Sequence, residues 1–408
     1  MRPEGQTEEL YMSHTSKLQA LMAGTGLLLM AGPAFSLDGA DLLAKINAAT
    51  GISGSPISAQ AVDVSGTTVT LRGATYKPMP AEAAMPIGDI TLEGVQEEDD
   101  GGYFIETVTL PDLTTREEET TVTVADISMT NVTVPADVTG GTLDSVLVYE
   151  TASTGPVNVS VEGKPLFSLT SATSTTDIAD DNSTIGFDVE VAGIKADLSM
   201  VEDPKARDAI QSLGLTSIDG SMSLSGDWQA ADGLVNVEDY TLDFANVGTL
   251  STSLSFSGYT LDFIKAAEET SRAMQPAAGK QAQDAAGLAM LGLMQRLTFN
   301  SAEISFQDAG LTNRALDYAG KEQGVSGNTM AQMLKGMTPL LLAQYNVPEL
   351  QNMVSQAVNT YLDNPGNLII SAAPENPVPF PMIMGAAMGA PNTLPDVLGV
   401  TVEANRRQ

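Results

Sequence analysis

Two acidic turns gather ligand-type side chains in the sequence. Glu97-Glu98-Asp99-Asp100 runs into a Gly-Gly pair, and Asp177, Asp180, Asp181 and Asn182 form a second group. Carboxylates are hard oxygen donors, so the chemistry they suggest is weak calcium binding, with Glu97, Asp99, Asp100, Asp180 and Asp181 as candidate ligands. Neither group has the ordered spacing of an EF-hand loop, and the plainer reading is two solvated hairpin tips. A pair of carboxylates could also hydrolyse a glycoside, one as acid and one as base or nucleophile. The sequence offers that reaction little support, because Trp228 is the single Trp and aromatic residues make up 5% of the chain. No Ser-x-x-Lys stands at a convincing helix start, and no Gly-rich loop has a phosphate-cradling pattern. The expectation is a protein that is not an enzyme and needs no cofactor, with a carboxylate-dependent hydrolase as a distant alternative.

What is missing narrows the chemistry further. The chain of 408 residues has no Cys and one His, and 19 Lys plus Arg against 51 Asp plus Glu give a net charge of −32. Disulfides and Cys-containing metal sites are excluded. A surface this acidic repels phosphate backbones, which argues against nucleic acid as a partner. The one imidazole, His14, lies in a segment that reads as an export signal. Met12 is the more natural start, Ser13 to Lys17 form a short leading region, and Leu18 to Met30 is apolar. Pro33 and the small residues of Ala34-Phe35-Ser36 follow, so cleavage is expected after Ser36. The alternative is retention as an anchor, although the apolar stretch is short of the about 20 residues that span a bilayer. Cleavage removes two basic and three acidic residues, leaving residues 37–408 with a charge of −31 and no His. Ser–His–Asp and Cys–His catalysis and histidine metal sites then fall away. The location expected is the periplasm or the exterior, with a core large enough to do without disulfides.

The elements that must position any site are mostly strands. A short amphipathic helix is expected over Gly39–Ala49, with Leu42, Leu43 and Ile46 on its apolar face. Alternating patterns follow at 57–64, 67–74, 87–95 and 103–110. Thr121 to Val134 changes phase near Asp126, which predicts a bulge or two strands. Strands are also expected at 142–150, 157–161 and 166–172, and Thr184–Met200 reads as a hairpin turning near Gly193. Asp203 and Pro204 suit the start of a helix. Strands resume at 216–225, 234–244 and 249–256.

Beyond Leu261 the composition shifts to Ala and Met. Pro276 and Gly279 are expected to divide two helices, with Leu293 and Leu297 able to pair. A strand at 298–307 leads to helices at 311–322 and 326–343. A further helix is expected to be capped by Asn346, with Glu349 three residues on. Strands at 368–372 and 397–402 flank the apolar Phe380–Met388. Tyr240 to Gly248 resembles Ala302 to Gly310, each an alternating strand ending at a Gly turn. The organisation expected is a signal at 1–36, a β-rich region at 37–259 and a mixed region at 260–408, packed as one unit. The fold class is α+β, an extended curved antiparallel sheet with Ala/Met-rich helices packed on it in the C-terminal half.

Met274 to Met388 contains ten of the 19 Met residues. Methionine adapts to irregular apolar surfaces. That points to a groove for an acyl chain or a partner helix, with Met330, Leu334, Met337, Leu341, Val354 and Val358 as candidate lining. An ordinary core where helices cover a sheet is the alternative.

The segments AEISFQDAGLTNRALDYAGKEQ (302–323) and NLIISAAPENPVPFPMIMGAAMGAPNTLPDVLGVTV (367–402) resemble uncharacterised secreted proteins of alphaproteobacteria. The chain is more loosely similar to β-rich envelope proteins of the AsmA kind. That resemblance implies an envelope location and lipid handling. The combined expectation is a periplasmic protein binding lipid or an envelope protein in an apolar groove. The alternative is an acidic structural module without a small ligand.

Overall fold

The computed structural model describes residues 37–50, 57–77, 84–139, 142–274, 280–344 and 347–406. Residues 1–36, read above as an export signal, and Pro276, Gly279 and Asn346 lie outside these. Helix α1 (Gly39–Thr50) leads into strands β1 (Ile57–Ser58), β2 (Ala61–Ser65) and β3 (Thr68–Tyr76). Next come β4 (Met85–Glu93), β5 (Gln96–Glu97), β6 (Tyr103–Thr109), β7 (Leu113–Glu117), β8 (Thr120–Val124) and β9 (Ser128–Val134). After them run β10 (Thr151–Thr154), β11 (Val157–Val161), β12 (Lys164–Leu169), β13 (Ser171–Ile178) and β14 (Thr184–Asp197). Helix α2 (Pro204–Ser212) precedes β15 (Ser217–Gln229), β16 (Leu234–Phe244) and β17 (Gly248–Ser257). Helices α3 (Leu261–Met274) and α4 (Lys280–Met294) lead to β18 (Thr298–Asp308). Then α5 (Leu311–Glu322), α6 (Gly327–Ala343) and α7 (Pro348–Asp363) lead to β19 (Asn367–Ala372) and β20 (Val378–Pro379). Helices α8 (Phe380–Gly389) and α9 (Leu394–Val397) precede the last strand, β21 (Val400–Ala404). The fold is mixed α+β. In its C-terminal half, helices form the connections between successive strands.

All 21 strands among the described residues belong to one antiparallel sheet. Several neighbours in sequence are halves of one bent strand. β8 and β9 pair with β11 and β10, which pair in turn with β12 and β13. With halves joined in this way, every step is a meander between chain neighbours, and no crossover is needed. The interruptions line up. Gly155 N–H donates to Ala125 O, and Thr170 N–H donates to Ala192 O beside Gly193. Asp126 (φ 54°) and Gly193 (φ 62°) adopt left-handed backbone there. Such bulges bend each strand at the same level, so the sheet curves along a crease.

Three expectations are corrected. Thr184–Asp197 is one strand and not a hairpin, because its pairing with β15 shifts register at Val191/Ile194 and then continues. Gly193 makes a bulge rather than a reversal. Residues 142–150 do not form a strand. Leu143–Ser145 is a 3-10 turn, and within 142–150 only Val148 bridges, to Thr133. Helix α7 starts from Val347 without a side-chain cap and with Pro348 in its first turn. The phase change near Asp126 is the break between β8 and β9. Leu293 and Leu297 are both buried beside Phe263.

The pairings place a single row of side chains across the whole sheet. From one edge to the other it reads Val64, Val69, Leu92, Val108, Met129, Ala152, Ser174, Val189, Leu224, Tyr240, Thr252, Ile304, Ile370 and Val402. Directly opposite residues point to the same face, so this row is one stripe without a charge. The neighbouring row reads Asp63, Thr70, Thr91, Thr109, Ser128, Ser153, Thr173, Glu190, Ser223, Thr241, Ser251, Ser305, Ile369 and Glu403. It faces the other way and is polar except for Ile369. Its hydroxyls bond across strands, as between Ser128 and Ser153 (3.1 Å) and between Thr241 and Ser251 (2.7 Å). The sheet therefore has one apolar and one polar face, and the polar face is covered at its C-terminal end, where Ile369 is buried beside α7.

Gly226 keeps the apolar face packed. A Cβ there would lie 2.1 Å from Asn236 O and 2.7 Å from the Phe187 ring. Phe187 is its direct partner on β14. Gly226→Ala is expected to destabilise the protein by about 2 kcal/mol through overpacking, read as a lower Tm with Phe187 displaced.

Candidate ligand-binding site

Helix α1 covers one end of the apolar face. Its buried residues Leu42, Ile46 and Ala49 fall three or four apart, so they share one stripe. Leu42 and Ile46 meet Val69, Leu71, Leu92, Ile105 and Val134 in a single core. Gly39 lets the helix approach β2 closely, since a Cβ would lie 2.6 Å from Val62 Cγ1. A polar latch holds the same turn. Tyr103 Oη donates to Asp41 (2.8 Å), and Lys45 donates to Asp41 and to Gly101 O (2.8 Å). The Lys45 ammonium also lies 5.1 Å from the centre of the Tyr103 ring.

The latch shifts both acids. The bond from Lys45, then that from Tyr103, holds the Asp41 carboxyl below its usual range. Burial, then the bond to Asp41, pushes the Tyr103 phenol well above its usual range. Asp41 titrates lower folded than unfolded. Its stabilisation is complete above about pH 4 and is lost as pH falls through the depressed folded value. Wild type is therefore expected to lose more stability than Asp41→Asn between pH 5 and 3, with circular dichroism at graded pH as the check.

Beyond α1 the core opens into a cavity of about 390 Å³. Ile46 and Thr50 of α1 border it, and Leu92, Val108 and Met129 of the apolar row form its floor. Leu110 and Leu113, on either side of the crease, also line it. Thr50, Tyr76 and Thr115 are the lining residues with polar side chains, and none is charged. Farther along the same face, Leu250 (37%), Leu254 (36%), Ile304 (48%) and Ile370 (45%) remain open to solvent. On β17, Phe256 packs against a core of Phe263 of α3, Leu293 of α4 and Leu297 just after that helix. At about 4.8 Å per strand, the row has a contour of about 60 Å.

The candidate groove residues on the helices have different places. Met330 is buried against Leu316 and Ala331 in a small core that Leu362 of α7 also joins. Leu334, Met337 and Leu341 are exposed on α6, and Val354 and Val358 are half-buried on α7. None of the six lines the cavity under α1 or the hollow of about 450 Å³ between α7 and β21. That hollow is mixed in character, with Gln356, Thr360 and Glu403 beside Met353. Its Arg406 is paired with Glu303 and Glu403.

The candidate calcium ligands sit on two separate turns. Glu97, Asp99 and Asp100 edge an open hollow in the turn before β6, where Asp100 accepts from Gly102 N–H (2.7 Å). Asp180 and Asp181 lie between β13 and β14. Asp181 accepts from Ser183 Oγ (2.6 Å) and Ser183 N–H (3.1 Å), which lower its pKa. Among the described residues, no group of three or more His, Cys, Asp or Glu gathers as a metal would require. No helix among them is long and apolar enough to cross a membrane.

The cavity and the open row were missed in sequence. The signal was present in the alternation of β3, β4, β6 and β9, but which face stays uncovered depends on long-range register. A family profile described as an uncharacterized protein matches residues 241–405, less than half of the chain. The matched part contains both C-terminal segments singled out above. No curated protein matches the chain.

Proposed function

We propose that this is a non-enzymatic, exported protein that binds the hydrocarbon chain of a lipid along the apolar face of its sheet. The observation that carries the reading is the uncharged row from Val64 to Val402. Its members Leu92, Val108 and Met129 line the cavity under α1, and Ile304 and Ile370 stay half-open. Cavities of this size, apolar with a few polar groups, suit small ligands. A chain of methylenes needs no hydrogen-bond partners. A peptide would have to satisfy its backbone against walls with almost no donors or acceptors.

The test is organic extraction of the purified protein followed by mass spectrometry. A co-purifying lipid at a defined ratio is expected. Lipid-free protein that also fails to take up lipid from vesicles would overturn the reading and favour a structural module. Export is tested separately. Protein from the periplasmic fraction should begin at Leu37 by N-terminal sequencing, and full-length cytosolic protein would contradict it.

A further inference from the structure

Charge around the cavity narrows the ligand class. This step rests on the lipid-chain reading above. Residues 37–150, which build α1 and the sheet around the cavity, contain four basic residues and 19 acidic ones, a net charge of −15. Three of the four basic side chains are directed elsewhere. Lys45 is held in the latch by Asp41 and Gly101 O. Arg72 bridges Asp63 and Asp89. Arg72 and Arg116 each follow a cavity-lining residue, Leu71 and Thr115, so strand alternation puts them on the opposite face. Lys77 is exposed beyond the end of β3.

We infer that the site takes amphiphiles with a neutral or zwitterionic head and rejects those with a net negative head, such as free fatty acids and anionic phospholipids. Two costs act on an anionic head. Drawn into the cavity, it meets no cation or donor cluster to replace its lost water. Left at the rim, it stands in the field of the surrounding acidic residues. A zwitterionic head escapes the second cost, and its ammonium is attracted by the same field. The chain contributes the same apolar burial in every case, so the head alone decides.

The experiment compares amphiphiles with one chain and different heads. Dodecylphosphocholine and dodecyl sulfate are titrated into the protein below their micelle concentrations, by calorimetry in low and high salt. The choline head is expected to bind at least about tenfold tighter in low salt, and the gap should narrow in high salt as the field is screened. Met85 lines the cavity and is 47% exposed, so in Met85→Lys the long side chain can lay its methylenes along the wall and hold its ammonium in water at the rim, out of reach of the covering chain. The substitution should bring the two affinities several-fold closer while leaving the Tm unchanged. Equal or tighter binding of the sulfate to wild type would overturn the inference while leaving chain binding intact. A gap unaffected by both salt and Met85→Lys would overturn it too. Binding of neither amphiphile would instead remove the lipid-chain reading on which the inference rests.

Discussion

Leu42→Ala lowers the stability of the α1 end of the sheet by about 3 kcal/mol, the usual scale for deleting a fully buried leucine. Leu42 is 0% exposed and belongs to the core that joins α1 to β3, β4, β6 and β9. The loss should be local before it is global. Hydrogen exchange of amides 42–50 is expected to accelerate about a hundredfold, with β16 to β18 little changed. Equal acceleration everywhere would mean that α1 and the distant strands unfold as one unit. An unchanged rate at α1 would mean that Leu42 does not hold the helix.

Met85→Glu abolishes chain binding while the protein stays folded. The side chain is 47% exposed yet lines the cavity, so the carboxylate can reach water in the empty protein. A bound hydrocarbon chain would cover it. Burying an unpaired carboxylate is so costly that either the chain is excluded or the group must take up a proton. Affinity for an uncharged fluorescent acyl probe is expected to fall at least about a hundredfold at pH 7, a change of about 3 kcal/mol. Part of it should return near pH 4 as the carboxyl protonates. Met337→Glu, on an exposed position of α6 outside the cavity, serves as the control and should bind normally. The reverse result would move the site to the helices.

Much of the fold was legible because a half-buried antiparallel strand writes its two faces as alternation. Val108-Thr109, Met129 after Ser128 and Leu224 after Ser223 each show it locally. The resemblance of Tyr240–Gly248 to Ala302–Gly310 is not a shared register, since its matching positions Leu242 and Ile304 fall in different rows. β16 and β18 flank β17 and run in the same direction, and Tyr240 and Ile304 occupy one row. Gly193 was misread because a glycine within a strand marks either a bulge or a turn, and only the continuing partner strands decide between them. Residues 142–150 were misread because Leu147 and Tyr149 carry a strand-like pattern while packing from a loop.

The candidate site was harder to read. Methionines on α6 drew attention to the helices, where an amphipathic stripe records only that something is apolar. The row beneath the cavity is assembled from strands spread over more than three hundred residues of sequence, as Val64 and Val402 at its two edges show. No local window contains it. The acidic turns were legible as turns, and their carboxylates accept hydrogen bonds from their own loops.

The most direct test of the central claim is photocrosslinking with a phosphatidylethanolamine that carries a diazirine at the end of one acyl chain, followed by peptide mapping. Crosslinks should fall on the apolar face, at cavity residues such as Met85, Ile87 and Met129 or at the open positions Ile304 and Ile370. Labelling confined to α4, α6 and α8, or absent from the sheet altogether, would contradict a lipid chain lying along that face.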